Sequence, residues 1–160
     1  MNEHAYAVIM AGGRGERFWP LSTAARPKQF LTLFGGRTLL AHAVERLAGF
    51  VPPERTIVIT SRDLIAATRA AAPALPAANV IGEPVGRDTA AACALACALV
   101  ARRDAQGVAC ILTADQLMAD VATFRQTLAD SVTVAARQEA IVATPQMNMP
   151  AFQKWRPPAR

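Results

Sequence analysis

Cysteine and long apolar runs are both scarce in this chain, and their scarcity excludes several classes of protein. Cysteine occurs only at Cys93, Cys97 and Cys110, with no CxxC pair. This odd number and spacing indicate neither a disulfide framework nor a zinc site, so we expect reduced thiols. The longest apolar run, residues 90–101, is too short to span a bilayer and is typical of a buried helix. We therefore predict no membrane association.

Acidic residues are fewer than basic ones, and the basic ones are dispersed. The chain has 17 Lys and Arg against 12 Asp and Glu, a net charge of +5. This excess favours an anionic partner. No predicted helix carries the basic stripe of a nucleic-acid-binding surface, so we expect no nucleic acid partner. The opening MNEHAYAVIM lacks the basic region of a signal peptide. We predict a cytoplasmic location.

What the chain does contain is enough apolar residues for one globular domain. Of its 160 residues, 52% are hydrophobic and 18% are charged, which argues against disorder. Short apolar runs alternate with stretches of helical periodicity. The predicted strands are 6–11, 56–60, 79–81, 108–112 and a last strand at 140–143. The predicted helices are 38–49, 62–72, 89–103 and 121–138. Asp88 or Thr89 can cap the third helix, and Asp120 can cap the fourth. This alternation predicts βαβ units in a three-layer α/β/α sandwich with a mainly parallel sheet.

The composition changes near residue 144. Residues 145–160 contain four prolines, several basic residues and no periodicity. We therefore assign residues 1–144 to the domain and 145–160 to an irregular, basic, proline-rich tail.

A glycine-rich turn follows the first predicted strand. It runs through Ala11, Gly12, Gly13, Arg14 and Gly15. Glycines here let the main chain approach a phosphate closely, and Arg17 and Lys28 can neutralise its charge. The GxGxxG dinucleotide pattern fails because Phe18 stands where its third glycine belongs, and no GxxxxGK[ST] occurs. An ordinary flexible turn with solvated arginines remains the alternative.

The motifs GGRGERFWPLS and RPKQFL resemble the signature of the sugar-1-phosphate nucleotidyltransferases, and are most similar to the mannose-1-phosphate guanylyltransferase branch. Residues 83–91 (EPVGRDTAA) are similar to that branch's second nucleotide-contacting stretch, and residues 111–116 (ILTADQ) to its metal-binding strand end. The resemblance covers residues 5 to about 144 in order. It implies a Rossmann-like nucleotidyltransferase fold and the reaction of GTP with mannose 1-phosphate, giving GDP-mannose and pyrophosphate.

The resemblance also implies roles for individual residues. Arg17 would contact the leaving pyrophosphate and Lys28 would balance charge on the α-phosphate, making these two the catalytic residues. Asp115 would bind Mg²⁺, although a solvated loop carboxylate is the alternative. The implied nucleotide-binding residues are Ala11, Gly12, Gly13, Arg14, Gly15, Glu83, Gly86 and Thr89.

The chain departs from the family pattern at three positions and at its end. Thr113 and Gln116 replace the usual proline and histidine around the metal aspartate, and Asp88 replaces an asparagine, adding negative charge beside an anionic substrate. Residues 145–160 do not resemble the family's sugar-binding stretch or its second metal aspartate. We therefore expect a truncated guanylyltransferase that keeps the nucleotide half, with an uncovered apolar sheet edge that favours self-association. The alternatives are a catalytically inactive nucleotide-binding remnant and a nucleotidyltransferase for another nucleotide or hexose phosphate.

Overall fold

A four-stranded parallel sheet lies at the centre of the fold. The structure is a computed structural model that describes residues 3–13, 18–23, 26–83, 85, 88–138 and 140–143. The strands are β1 (Ala5–Met10), β2 (Thr56–Ser61), β3 (Val80–Glu83) and β4 (Val108–Thr113). They are ordered β3-β2-β1-β4, and every neighbouring pair is parallel. The four carboxyl ends therefore meet at one edge of the sheet.

Helices cover both faces of this sheet. They are α1 (Leu39–Glu45), α2 (Ile65–Ala71), α3 (Thr89–Arg103) and α4 (Val121–Gln138). Short 3-10 turns occupy Lys28–Phe30, Pro53–Arg55, Arg62–Leu64 and Ala77–Asn79. One core cluster joins the sheet to α1 and α4, and the other joins its opposite face to α3. The predicted three-layer α/β/α architecture is confirmed.

The residues of β1 explain why its sequence is almost continuously apolar. Ala7 and Ile9 belong to the core cluster on the α1 and α4 face, whereas Tyr6 and Val8 belong to the cluster on the α3 face. All four are buried. A central parallel strand covered on both faces has no solvent-facing side, so the strand shows no alternation of polar and apolar residues.

The predicted helix ends and caps agree with the structure in part. Helix α2 begins at Ile65 rather than at residue 62, because residues 62–64 form a 3-10 turn. Helix α1 ends at Glu45, before the predicted stop at Gly49, which adopts a positive φ of 81° within the turns that follow. Asp120 caps α4 as predicted, because its Oδ1 accepts a hydrogen bond from the Thr123 amide at 2.9 Å. Asp88 occupies the N-cap position of α3, but its side chain makes no capping hydrogen bond. Instead the Asp88 carbonyl accepts the helix's first main-chain bond from Ala91.

The predicted last strand at Ala140 to Ala143 is wrong. These residues form no strand, and Ile141 is fully exposed. A short apolar run becomes a strand only when a neighbouring strand accepts its main-chain hydrogen bonds, and β4 pairs with β1 alone among the described strands. β3 and β4 are thus the edges of the described sheet, and self-association through an edge stays a prediction.

Three other predictions concern the cysteines, membrane-spanning helices and the tail. Cys93, Cys97 and Cys110 are all free, as predicted. In the described part of the chain, no helix is both long and apolar enough to cross a membrane. The tail assigned to residues 145–160 lies outside the described residues, so its irregular form and the boundary at 144 stay predictions.

Candidate functional site

Predicted site residues from four separate segments converge at the carboxyl edge of the sheet. Ala11, Gly12 and Gly13 follow β1, Glu83 ends β3, Lys28 begins a 3-10 turn, and Asp115 follows β4. Ligands of open parallel α/β sheets bind at this edge. Lys28 contacts Asp115, and the two glycines lie close to Lys28 and Glu83, so these residues are neighbours in space.

Lys28 and Asp115 form an ion pair. Lys28 Nζ lies 2.5 Å from Asp115 Oδ2, and the two side chains are 21% and 24% exposed. Burial raises the pKa of the Asp115 carboxyl, but the hydrogen bond and positive charge of Lys28 lower it further, so its pKa lies below its ordinary value of 3.8. Asp115 is therefore a carboxylate at neutral pH, directly beside a lysine ammonium group.

The two glycines lie against charged side chains on either side. A Cβ atom added at Gly13 would lie 3.3 Å from Lys28 Cε and 3.5 Å from its Nζ. One added at Gly12 would lie 3.3 Å from Glu83 Oε2. Both glycines are exposed. Their lack of a side chain leaves the main chain open to a ligand between the Glu83 carboxylate and the Lys28 ammonium group.

Buried polar side chains hold the start of the glycine turn. The Ala11 carbonyl accepts hydrogen bonds from Gln29 Nε2 at 2.7 Å and from Thr60 Oγ1 at 3.1 Å. Gln29 and Thr60 are both 0% exposed. Neither residue was expected from the sequence, although a polar residue such as Thr60 at the carboxyl end of an apolar strand is a usable signal. Through these bonds the Lys28 segment and β2 are joined to the glycine turn.

Arg46 is another buried residue near the site that was not expected from the sequence. It is 4% exposed, and its Nη1 and Nη2 donate to the main-chain carbonyls of Gln116 (2.5 Å) and Thr113 (2.7 Å). Burial lowers the pKa of its guanidinium to about 10, while the negative charge of Asp115 acts in the opposite direction. The signal is its spacing: Arg46 is the C-cap of α1 and stands three residues after the buried Ala43, in line with the apolar face of that helix.

The remaining predicted residues are not placed in this cluster. Arg14, Gly15, Arg17 and Gly86 lie outside the described residues, so their roles stay predictions. Thr89 begins α3 and is exposed, and within the described residues no hydrogen bond or ion pair links it to Lys28 or Asp115. Thr89 as a nucleotide-binding residue therefore stays a prediction as well.

The described residues offer one carboxylate suited to a magnesium ion. Nowhere in them do three His, Cys, Asp or Glu side chains come together as a metal site. Mg²⁺ is usually held by one or two carboxylates together with substrate phosphates, rather than by an all-protein cage. The half-buried Asp115 carboxylate at the ligand-binding edge of the sheet fits that type of site, with the Lys28 ammonium group as its present partner.

Comparison with known proteins identifies a family and relatives at moderate identity. The profile described as Nucleotidyl transferase matches residues 6–152. The chain is 38% identical over 138 residues to mannose-1-phosphate guanylyltransferase RfbM of Salmonella typhimurium, covering 84% of this chain and 29% of that protein. It is 40% identical over 135 residues to mannose-1-phosphate guanylyltransferase of Escherichia coli K12, covering 81% of this chain and 28% of that protein.

Solved structures show the same similarity. A crystal structure described as mannose-1-phosphate geranyltransferase from Thermus thermophilus is 44% identical, with a TM-score of 0.71 over 82% of this chain and 38% of that one. A structure of mannose-6-phosphate isomerase from Helicobacter pylori has a TM-score of 0.65 at 19% identity, over 84% of this chain and 47% of that one, which shows a shared fold alone. The chain thus spans less than a third of the length of the two curated relatives above.

Proposed function

The chain belongs to the nucleotidyl transferase family, and on that premise we propose that it binds a nucleoside triphosphate at the carboxyl edge of its sheet for transfer of the nucleotidyl group to a sugar 1-phosphate. The single observation that carries the proposal is the convergence of Gly12, Gly13, Lys28 and Asp115 at this edge. These residues provide an open main chain, a positive charge and a metal-binding carboxylate. Each suits a triphosphate.

The glycines and Lys28 supply the phosphate contacts. Main-chain amides near exposed glycines can donate to phosphate oxygens without steric hindrance from a side chain. Lys28 has a flexible four-carbon stem, so its ammonium group is able to leave Asp115 and pair with a phosphate close to Gly13. In the transfer, an oxygen of the sugar phosphate attacks the α-phosphorus, the bond to the β-phosphate oxygen breaks, and pyrophosphate leaves. Lys28 would balance negative charge that develops at the α-phosphate.

Asp115 is the residue that would hold Mg²⁺. A bound magnesium ion supplies charge neutralisation and orientation of the phosphate oxygens. When Lys28 turns toward a phosphate, the Asp115 carboxylate loses its cationic partner. Asp115 is then free to accept a divalent cation together with the nucleotide, so we expect metal and nucleotide to bind cooperatively.

GTP and mannose 1-phosphate are the proposed substrates. The named guanylyltransferase relatives support this choice, as do the PKQFL and FWPLS motifs. The sequence raises two alternatives. One is nucleotide binding without turnover, and the other is nucleotidyl transfer with another nucleotide or hexose phosphate. A cytoplasmic location and self-association stay predictions.

Calorimetry with a matched pair of variants tests the proposal. The protein is titrated with GTP, with and without Mg²⁺, and then assayed for pyrophosphate release on addition of mannose 1-phosphate. Asp115→Asn should remove the gain in GTP affinity that Mg²⁺ gives. Asp120→Asn is the control, because Asp120 caps α4 and asparagine caps a helix equally well. This control should behave like the unsubstituted protein.

The outcomes separate the alternatives. GTP binding with pyrophosphate release supports the transferase, and binding without release supports a nucleotide-binding protein without catalysis. Tighter binding of ATP, UTP or CTP would reassign the nucleobase. Folded protein that binds no nucleoside triphosphate would contradict the proposal.

A further inference from the structure

Arg46 is a buried cation whose hydrogen bonds go to neutral groups. It is 4% exposed, and within the described residues it forms no ion pair. Removing a guanidinium from water is costly, and a carboxylate partner is the usual compensation. Here the fork of Arg46 donates instead to two main-chain carbonyls. Burial of the Arg46 guanidinium therefore costs free energy, and the positions of its two hydrogen-bond acceptors indicate what the side chain holds in place.

The two carbonyls belong to residues on either side of Asp115. Nη2 binds the Thr113 carbonyl, at the end of β4, and Nη1 binds the Gln116 carbonyl. A planar guanidinium fixes the distance and the relative direction of two acceptors at once. Arg46 thereby fastens the segment that carries Asp115 to the end of α1.

Neighbouring side chains fix Arg46 in turn. The centre of its guanidinium lies 5.3 Å from the ring centre of Phe124, and Arg125 Nε donates to the Arg46 carbonyl at 2.8 Å. Both residues belong to α4. A cavity of about 170 Å³ borders Arg46, Gln116 and Met118. The segment after Asp115 therefore has space to shift if the guanidinium no longer holds it.

We propose that Arg46 is the positioning residue for Asp115, holding its carboxylate in place when Lys28 turns toward a phosphate. The inference rests on the proposed function. Lys28 touches Asp115 directly, but it is also the predicted phosphate partner, so it no longer fixes the position of Asp115 once it turns toward a phosphate. Arg46 holds the main chain on both sides of Asp115 and is itself buried, so its grip does not depend on whether a ligand is bound.

A substitution cycle between Arg46 and Asp115 tests this role. Arg46→Lys keeps the charge and loses the two-pronged geometry. The measured quantity is the gain in GTP affinity on adding Mg²⁺, taken as the ratio of the two Kd values. We expect Arg46→Lys to reduce this gain about tenfold, the lower end of the effect of losing a residue that orients a metal ligand. In an Asp115→Asn background, Arg46→Lys should cause no further reduction.

Arg69→Lys is the matched control. Arg69 also donates to a main-chain carbonyl, that of Ala77 at 3.0 Å, but it is exposed and tied to a turn before β3. This variant should keep the full gain from Mg²⁺. If Arg46→Lys fails to fold, Phe124→Leu loosens the guanidinium while keeping an apolar core residue, and it should reduce the gain in the same direction.

A second readout needs no ligand. Hydrogen exchange at residues 113–118 should be faster in Arg46→Lys and unchanged in Arg69→Lys. An unchanged gain from Mg²⁺ in folded Arg46→Lys would overturn the inference, as would an equal reduction in the Asp115→Asn background. If the unsubstituted protein itself shows no gain, the proposed function and the inference fail together. If the gain is present and only the response to Arg46→Lys is absent, the inference alone fails.

Discussion

Replacing Lys28 by methionine is the sharpest test of the charge arrangement in the site. Lys28→Met keeps an unbranched apolar stem of similar length and removes only the ammonium group. The Asp115 carboxylate then stays partly buried without its partner. We expect two effects: weaker binding of GTP, because a phosphate contact is lost, and a lower free energy of unfolding in the absence of ligand.

The size of the stability loss follows from the burial of the pair. Solvent-exposed ion pairs contribute roughly 0.2–1 kcal/mol, and breaking a fully buried pair costs about 3–5 kcal/mol. Lys28 and Asp115 are 21% and 24% exposed, which places them between these limits. We therefore expect a loss of about 1–3 kcal/mol at neutral pH. For a chain of this size that loss lowers Tm by roughly 2–12 °C.

The loss should also depend on pH, with a definite sign. The pKa of Asp115 in the folded protein lies below its ordinary value because of Lys28. Such a carboxylate contributes stability that is complete above the unfolded-state pKa and disappears as the pH falls through the lower, folded-state pKa. The difference between the unsubstituted protein and Lys28→Met should be the same at pH 7 and pH 6. It should shrink once the pH falls below about 4, the ordinary carboxyl range.

Denaturant unfolding across this pH range provides the measurement. Asp115→Asn and the double substitution complete a cycle that isolates the energy of the Lys28–Asp115 pair. The reasoning is refuted if Lys28→Met costs the same at pH 3 as at pH 7. It is also refuted if the effects of the two single substitutions are simply additive.

Two further predictions concern the frame around the site. Gly82→Ala should destabilise the protein by about 1–3 kcal/mol. The added Cβ would lie 2.6 Å from Ile65 Cδ1 and 3.0 Å from the main-chain Cα of Arg62, which cannot move aside. A Tm within about 1 °C of that of the unsubstituted protein would contradict this prediction. Asn79→Ala should cost about 1–3 kcal/mol, because buried Nδ2 donates to three main-chain carbonyls at 2.9–3.0 Å that would lose this donor. Denaturant unfolding checks this value, and a loss below about 0.5 kcal/mol would show that water replaces the amide.

The strands were predictable because burial on both sides leaves a clear mark on their residues. The runs YAVIMA and TIVIT lie in or overlap β1 and β2, which occupy the two central positions of the sheet. The same reasoning failed at residues 140–143, where a similar apolar run has no neighbouring strand to pair with and Ile141 is exposed. Local composition reports a tendency to form a strand, whereas pairing depends on what the rest of the fold places alongside.

The candidate ligand-binding residues were predictable to a similar degree. Gly12, Gly13, Lys28 and Asp115 were all expected from motifs, and the structure brings them together. The direct contact of Lys28 with Asp115 was not expected, because the two are 87 positions apart in the chain. They meet because β4 pairs with β1 and because Gln29, next to Lys28, binds the Ala11 carbonyl after β1. Motif spacing names candidate ligand-binding residues but does not give the distances between them.

The supporting residues were the hardest to predict, for a physical reason that Arg46, Gln29 and Thr60 share. Each is a buried polar side chain whose partner is a main-chain carbonyl: those of Thr113 and Gln116 for Arg46, and that of Ala11 for the other two. Every residue type carries a carbonyl, so the partner leaves no trace in the sequence. Arg46 and Thr60 do leave a trace, because each is a single polar residue in line with apolar neighbours of a helix or a strand. All three donors hold segments that carry Gly12 or Asp115. Searching the apolar faces and ends of helices and strands for single polar residues would find Arg46 and Thr60 but would miss Gln29, which lies in the 3-10 turn Lys28–Phe30.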